Sequence, residues 1–185
     1  MKKKRLRRRR FRIGEDEKEI IKIVGLGLLA VTSIVFPGLP VALQPIFKRR
    51  HKKGFQRILK NLEEKGVIFL GGEKIRLTKK GLNLQKEIEL NEISIGEPDK
   101  WDKIWRLVSY DIPDEYKKER DWFRQTLERL GFEKVQESLW VYPHECKEEI
   151  AVIAQSLKIS PHIIVMATDQ LPNQEKWQKR FDIKF

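Results

Sequence analysis

The sequence predicts an α+β protein in two halves, an N-terminal winged helix-turn-helix followed by a ferredoxin-like βαββαβ domain. Three observations carry this reading. A basic stretch with helical apolar spacing runs into a short strand, a Gly-Gly pair and a second short strand. After residue 101, strand and helix patterns follow one another in the order βαββαβ. The positive charge of the chain is concentrated in its first half.

With 185 residues, 40% of them hydrophobic and 36% charged, the chain is long enough for one or two domains and too apolar to be wholly disordered. The net charge is +12, but residues 1–12 alone contribute +9, residues 13–97 contribute +4 and residues 98–185 contribute −1. Residues 1–16 therefore read as a disordered basic tail. Such a tail grips phosphate through counterion release and loosens with salt. The single cysteine, Cys146, excludes an intramolecular disulfide framework and a cysteine-based zinc site, and favours a reducing compartment. His51, His144 and His162 show no metal-ligand spacing.

Ile23 to Phe47 contains no charged residue. A membrane span is nevertheless not expected. Pro37, Pro40 and Pro45 cut the run, and the part before Pro37 falls short of the roughly 20 residues needed to cross. Glu15, Asp16, Glu17 and Glu19 also stand where a signal peptide carries no acid. The expected location is cytoplasmic.

The winged helix is expected over residues 17–90. Glu17 to Phe36 reads as one buried helix ended by Pro37-Gly38-Leu39-Pro40, and Leu43 to Phe47 as a short link or a single helical turn. In Lys48 to Lys65, Phe55, Ile58, Leu59 and Leu62 fall at the spacing of one buried helical face, and Gly66 stops the helix. The opposite side carries Arg49, Arg50, Lys52, Lys53, Gln56, Arg57 and Lys60, with no acid between Lys48 and Lys60. Val67–Leu70 and Lys74–Thr78 form a hairpin around Gly71-Gly72, with Lys74 and Arg76 as its cations, and a last helix runs from about Thr78 to Leu90. In this architecture the basic helix enters the major groove and the hairpin touches an adjacent groove or the backbone. Arginine and glutamine read base edges, while lysine mainly holds phosphate.

Residues 91–100 fit a linker, and residues 101–185 a ferredoxin-like dimerisation domain. Its expected elements are a strand over Lys103–Ile112, a helix over Glu115–Leu130 capped by Asp114, strands over Phe132–Val135 and Ser138–Tyr142, a helix over Lys147–Leu157, a strand over His162–Thr168 and a terminal helix over Asn173–Phe181. Trp122 or Phe123, with Thr126, Leu127 and Leu130, should form the buried face of the first helix.

Residues 110–143, with Tyr110-Asp111-Ile112, Gly131-Phe132 and Ser138-Leu139-Trp140-Val141, resemble a domain shared by two families. One is the CRISPR-associated adaptation nuclease of ferredoxin fold. The other is the PaaX family of transcriptional repressors, which is the closer match because Trp101 and Trp105 lead into the first strand and a winged helix stands in front. The PaaX resemblance implies a regulator that binds duplex DNA as a homodimer, without cofactor. PaaX repressors carry a further C-terminal domain that has no counterpart before Phe185, and no residue pattern specifies a small-molecule effector.

The resemblance to the nuclease implies an alternative in which Asp111 of two subunits holds Mg²⁺ and the protein cleaves nucleic acid. Asp111 is otherwise read as a strand-end residue accepting hydrogen bonds near Pro113. His144 and Cys146 lack the third, orienting group that a nucleophile pair needs and read as structural.

Overall fold

The first helix opens with three acids, which suit the positive end of its dipole. α1 spans Glu15–Gly25, and the Glu17 carboxylate folds back to accept the Gly14 N–H at 2.9 Å. Ile20, Ile21, Ile23 and Val24 are buried beneath it. The computed structural model describes residues 13–26, 43–71, 74–96, 98 and 100–183. The basic tail, the expected helical continuation to Phe36, the proline turn and Gly72 of the hairpin tip lie outside the described residues. Contacts divide the chain into two compact units, Met1–Ile88 and Glu89–Phe185. No helix among the described residues is long and apolar enough to cross a membrane.

In the first unit α2 spans Gln44–Glu64, so it begins before the expected Lys48. It is not one straight rod. His51 sits at φ 56° and ψ 171°, outside helical geometry, and separates Arg49 and Arg50 from the cations that follow. Phe55, Leu59 and Leu62 are buried and Ile58 is half-buried, as their spacing requires. At the C-terminus Gly66 adopts φ 65°, its N–H donates to the Glu63 carbonyl at 2.7 Å, and the Val67 N–H donates to the Leu62 carbonyl at 2.9 Å. That pair of bonds is a Schellman closure, and it turns the chain into the hairpin.

β1 (Ile68–Gly71) pairs antiparallel with β2 (Lys74–Leu77) in the register Ile68↔Leu77, Phe69↔Arg76, Leu70↔Ile75, Gly71↔Lys74. α3 (Lys79–Glu92) follows, and the Thr78 hydroxyl accepts the Gly81 N–H at 3.1 Å, which satisfies an orphan donor of its first turn. A side chain at Gly81 would place its Cβ 2.1 Å from the Val67 carbonyl oxygen, so this close approach of helix to strand requires glycine. The core gathers Ile20, Ile21, Leu43, Ile46, Phe55, Leu62, Val67 and Ile68.

The second unit runs β3 (Trp105–Tyr110), α4 (Lys117–Arg129), β4 (Glu133–Gln136), β5 (Leu139–Tyr142), α5 (Lys147–Leu157), β6 (Ile163–Thr168) and α6 (Gln174–Arg180). Its sheet is antiparallel with order β4-β5-β3-β6, so the expected βαββαβ order is present. Val108, Tyr110, Phe132, Trp140 and Tyr142 meet Phe123, Leu127, Ile150, Ile153 and Leu157 in the main core between sheet and helices. The opposite face carries a smaller cluster, in which Trp105 and Val141 meet Trp177 of α6.

One local expectation changes and one open choice is settled. Asp114 does not cap the helix. Asp114–Tyr116 form a 3₁₀ turn, α4 starts at Lys117, and Asp114 instead pairs with Arg120 at 2.9 Å. The choice between Trp122 and Phe123 falls to Phe123, which is fully buried, whereas Trp122 is half-buried under the Lys118 ammonium at 4.3 Å. In the stretch read as a linker, Ile93 and Ile95 pack against the second unit's core, and Arg129 donates to the Leu90 and Ile93 carbonyls at 2.6 and 3.0 Å.

Candidate nucleic-acid interface

The break at His51 divides the expected cationic face into two groups with different surroundings. Beyond it, Lys52, Lys53, Gln56, Arg57 and Lys60 are all exposed, at i, i+1, i+4, i+5 and i+8, which is one stripe along a helix. Within this stripe Lys60 pairs with Glu64 at 3.8 Å, between two well-exposed side chains. A pair of that kind contributes under about 1 kcal/mol and yields readily to phosphate.

Arg49 and Arg50, on the other side of the break, are already engaged. Both guanidinium groups hydrogen-bond the carboxylate of Asp16 in α1, and Arg49 also reaches Glu19 at 3.4 Å. Asp16 is only 6% exposed, whereas both arginine side chains are about half exposed. Burial acts to raise the Asp16 pKa, but the hydrogen bond from Arg50 and the charges of Arg49 and Arg50 outweigh it and hold the carboxyl below its ordinary value. The expectation that the basic face is unbalanced by acids is therefore corrected. The segment Lys48–Lys60 contains none, but α1 supplies them from more than 30 residues away. Glu17, also buried, ties the far end of α2 by accepting from Asn61 at 2.7 Å and pairing with Lys65 at 2.9 Å. Asp16 and Glu17 were missed as partners for α2, although the acid cluster at residues 15–19 and the basic run at 48–60 are visible in the sequence as complementary charge.

On the hairpin, Arg76 is exposed and lies directly across from Phe69, while the backbone register places Lys74 opposite Gly71. Ile68, Ile75 and Leu77 turn towards the core of the first unit. The side of the ladder bearing Phe69 and Arg76 is the solvent side.

In the second unit Asp111 is an exposed residue just beyond β3, and its N–H donates to the His162 carbonyl at 3.0 Å. Its neighbour Asp114 is engaged by Arg120. No group of three or more His, Cys, Asp or Glu side chains with metal-binding geometry occurs among the described residues. The described residues of one chain thus supply no three-ligand site around Asp111, and the Mg²⁺ alternative relies on a second Asp111 from another copy. Cys146 is buried, and burial with the neighbouring Glu145 charge pushes its thiol up to about 12, which leaves it protonated and unreactive at neutral pH.

Arg106 had no assigned role from sequence. It is buried on β3 and donates to Asp102 at 2.6 and 2.8 Å, to Glu145 at 3.0 Å and to the Ile104 carbonyl at 2.8 Å. This cation fastens the approach to the first strand against the loop that opens α5. The hydrogen bond to Asp102 leads the effects that raise its pKa, and the same bond leads those that lower the pKa of Asp102.

No curated protein matches the chain. Residues 98–179 match the family described as the PaaX protein central Cas2-like domain, a range that takes in β3 through most of α6. The antiparallel βαββαβ unit that holds Asp111 and the Arg106 clasp is therefore similar to the PaaX central Cas2-like domain, and the match extends over residues 98–179.

Proposed function

We propose that the protein is a PaaX-type transcriptional regulator that binds duplex DNA as a homodimer. Its first unit acts as the winged helix. The observation that carries this reading is the exposed stripe Lys52, Lys53, Gln56, Arg57 and Lys60 on α2, immediately ahead of the β1–β2 hairpin, in a chain whose other unit is PaaX-like. The stripe lies along the major groove, with Arg57 and Gln56 placed for base edges and the lysines for phosphate. Arg49 and Arg50 contact DNA only by exchanging Asp16 for a phosphate. Arg76 and Lys74 serve the hairpin, and the basic tail adds salt-sensitive affinity.

The homodimer is supported by the open side of the sheet. β6 is an edge strand, and Ile164 and Met166 on it are 60% and 44% exposed. A second copy covering them joins two first units, and two-fold symmetry then calls for a palindromic site.

Selection of bound duplexes from a random library at physiological salt tests the proposal. The expected result is an enriched palindrome, with binding lost on Arg57→Ala and reduced on Lys53→Ala. Absence of any duplex binding overturns it. The nuclease alternative is tested in the same tubes with Mg²⁺, where cleavage that disappears in Asp111→Ala favours an enzyme over a regulator.

A further inference from the structure

Phe69 is 60% exposed in the middle of β1, a position that an isolated hairpin would gain by filling with a polar residue. A lone exposed aromatic is unremarkable by itself. Here its surroundings are specific. Its cross-strand partner is the exposed Arg76, and the next pair on the same side of the ladder is Gly71 with Lys74. Among the described residues this side of the ladder thus carries one aromatic ring beside the exposed Arg76, with Gly71 next along the strand. The ring also lies close over Gly71, because a Cβ there would sit 2.3 Å from the ring edge. Glycine lets the ring rest against the backbone, so it is held in place before any partner arrives and loses little freedom on contact.

An apolar ring beside an exposed arginine matches the chemistry of a nucleic-acid groove, where a cation holds the phosphate and a planar apolar group enters beside the bases. We infer that Phe69 is the contact residue of the hairpin on duplex DNA and that it partly unstacks one base step in the groove it enters. This rests on the proposed DNA-binding function and deepens it. The stripe on α2 supplies salt-dependent grip, while Phe69 supplies a contact that depends on the deformability of the duplex, so flexible pyrimidine–purine steps are preferred beneath it.

The test uses the full chain and the duplex recovered by selection, or a mixed-sequence duplex if none is enriched, with 2-aminopurine at successive positions. Binding of the wild type is expected to raise 2-aminopurine fluorescence at one step. Phe69→Ala is expected to abolish that rise and weaken binding about tenfold, with the salt dependence unchanged because no cation is removed. Arg76→Ala is expected to keep the rise and to lower the salt slope by about one contact. A rise that persists in Phe69→Ala, or a wild-type complex that leaves every probe quenched, overturns the inference while the DNA-binding reading stands. If Phe69→Ala instead disrupts self-association and leaves duplex binding untouched, the ring is an interface between copies and the inference fails. A wild type that binds no duplex removes both readings.

Discussion

The two units solve the problem of a buried charge with opposite signs. In the first, Asp16 and Glu17 of α1 are buried and recruit Arg49, Arg50, Lys65 and Asn61 from α2. In the second, Arg106 of β3 is buried and recruits Asp102 and Glu145. The difference follows from where each unit has charge to spare. The first is rich in cations, so a buried carboxylate can fix two helices together and still leave a cationic stripe outside. The second is close to neutral, with charge of −1 over residues 98–185, and the buried Arg106 is neutralised within the unit. A buried charge is tolerated only when paired and hydrogen-bonded, and both units meet that condition. The lesson is that the basic composition of the first half does not translate directly into cations available to a ligand.

The largest expected effect tests whether the units are energetically separate. Phe55 and Phe123 are each fully buried, in different units, and truncation to alanine costs roughly 3–5 kcal/mol at such sites. All five tryptophans, at positions 101, 105, 122, 140 and 177, lie in the second unit. Phe123→Ala should therefore bring the tryptophan fluorescence transition to lower denaturant, whereas Phe55→Ala should leave it in place and shift only an early phase of the far-ultraviolet circular dichroism. A single transition displaced equally by both variants would erase the distinction.

Next come the two charge clasps. Arg106→Leu should cost about 2–3 kcal/mol, because the lost bonds reach a buried centre. Asp16→Asn should cost less, about 1–2 kcal/mol, because asparagine keeps a hydrogen-bonding group of the same shape at the buried position, whereas leucine keeps none. Asp16, Asp102 and Glu145 all have folded pKa values below their ordinary ones. For Glu145 the leading cause is the Lys147 N–H, which donates to its carboxylate at 3.1 Å. Lowered carboxyl values stabilise the fold above the ordinary carboxylate range, and that stability is lost as the pH falls through the folded values. Denaturation followed from pH 7 to pH 3 should show the acid-induced loss in the wild type, and a flatter profile for the second unit in Arg106→Leu and for the first in Asp16→Asn. The same Asp16→Asn variant releases Arg49 and Arg50, so duplex affinity should rise and its salt dependence should steepen by one or two contacts. Unchanged binding would mean that the arginines are not competing for phosphate.

The smallest effect concerns helix ends. α2 and α4 both close on a left-handed glycine, Gly66 at φ 65° and Gly131 at φ 85°, but α5 closes on Lys158 at φ 59°. Lys158→Gly should stabilise the second unit by about 0.5–1 kcal/mol, read as a higher denaturation midpoint by tryptophan fluorescence. A loss of stability would show that the lysine side chain contributes more than its backbone conformation costs.

Much of the architecture was legible from local pattern. Apolar spacing placed Phe55, Leu59 and Leu62 inward, Gly66 marked the end of α2, and the βαββαβ order followed from alternating strand and helix patterns. These features depend on neighbours a few residues apart, and a sequence states such neighbours directly. The candidate interface was legible only in part. Exposure of Lys52, Lys53, Gln56, Arg57 and Lys60 followed from the helical period, but the fate of Arg49 and Arg50 did not.

The sequence by itself determined the order of helices and strands in the second unit, how charge divides along the chain and which residue types could meet a polyanion. Tertiary structure decided the rest: the break at His51, the pairing of Asp16 with both arginines, the Arg106 clasp and the exposure of Phe69 beside Arg76. The physical reason is range. Periodicity and capping act within a turn or two, whereas an ion pair or a free surface depends on groups brought together from 30 or more residues apart, and only the folded chain settles which charges neutralise one another and which stay in water.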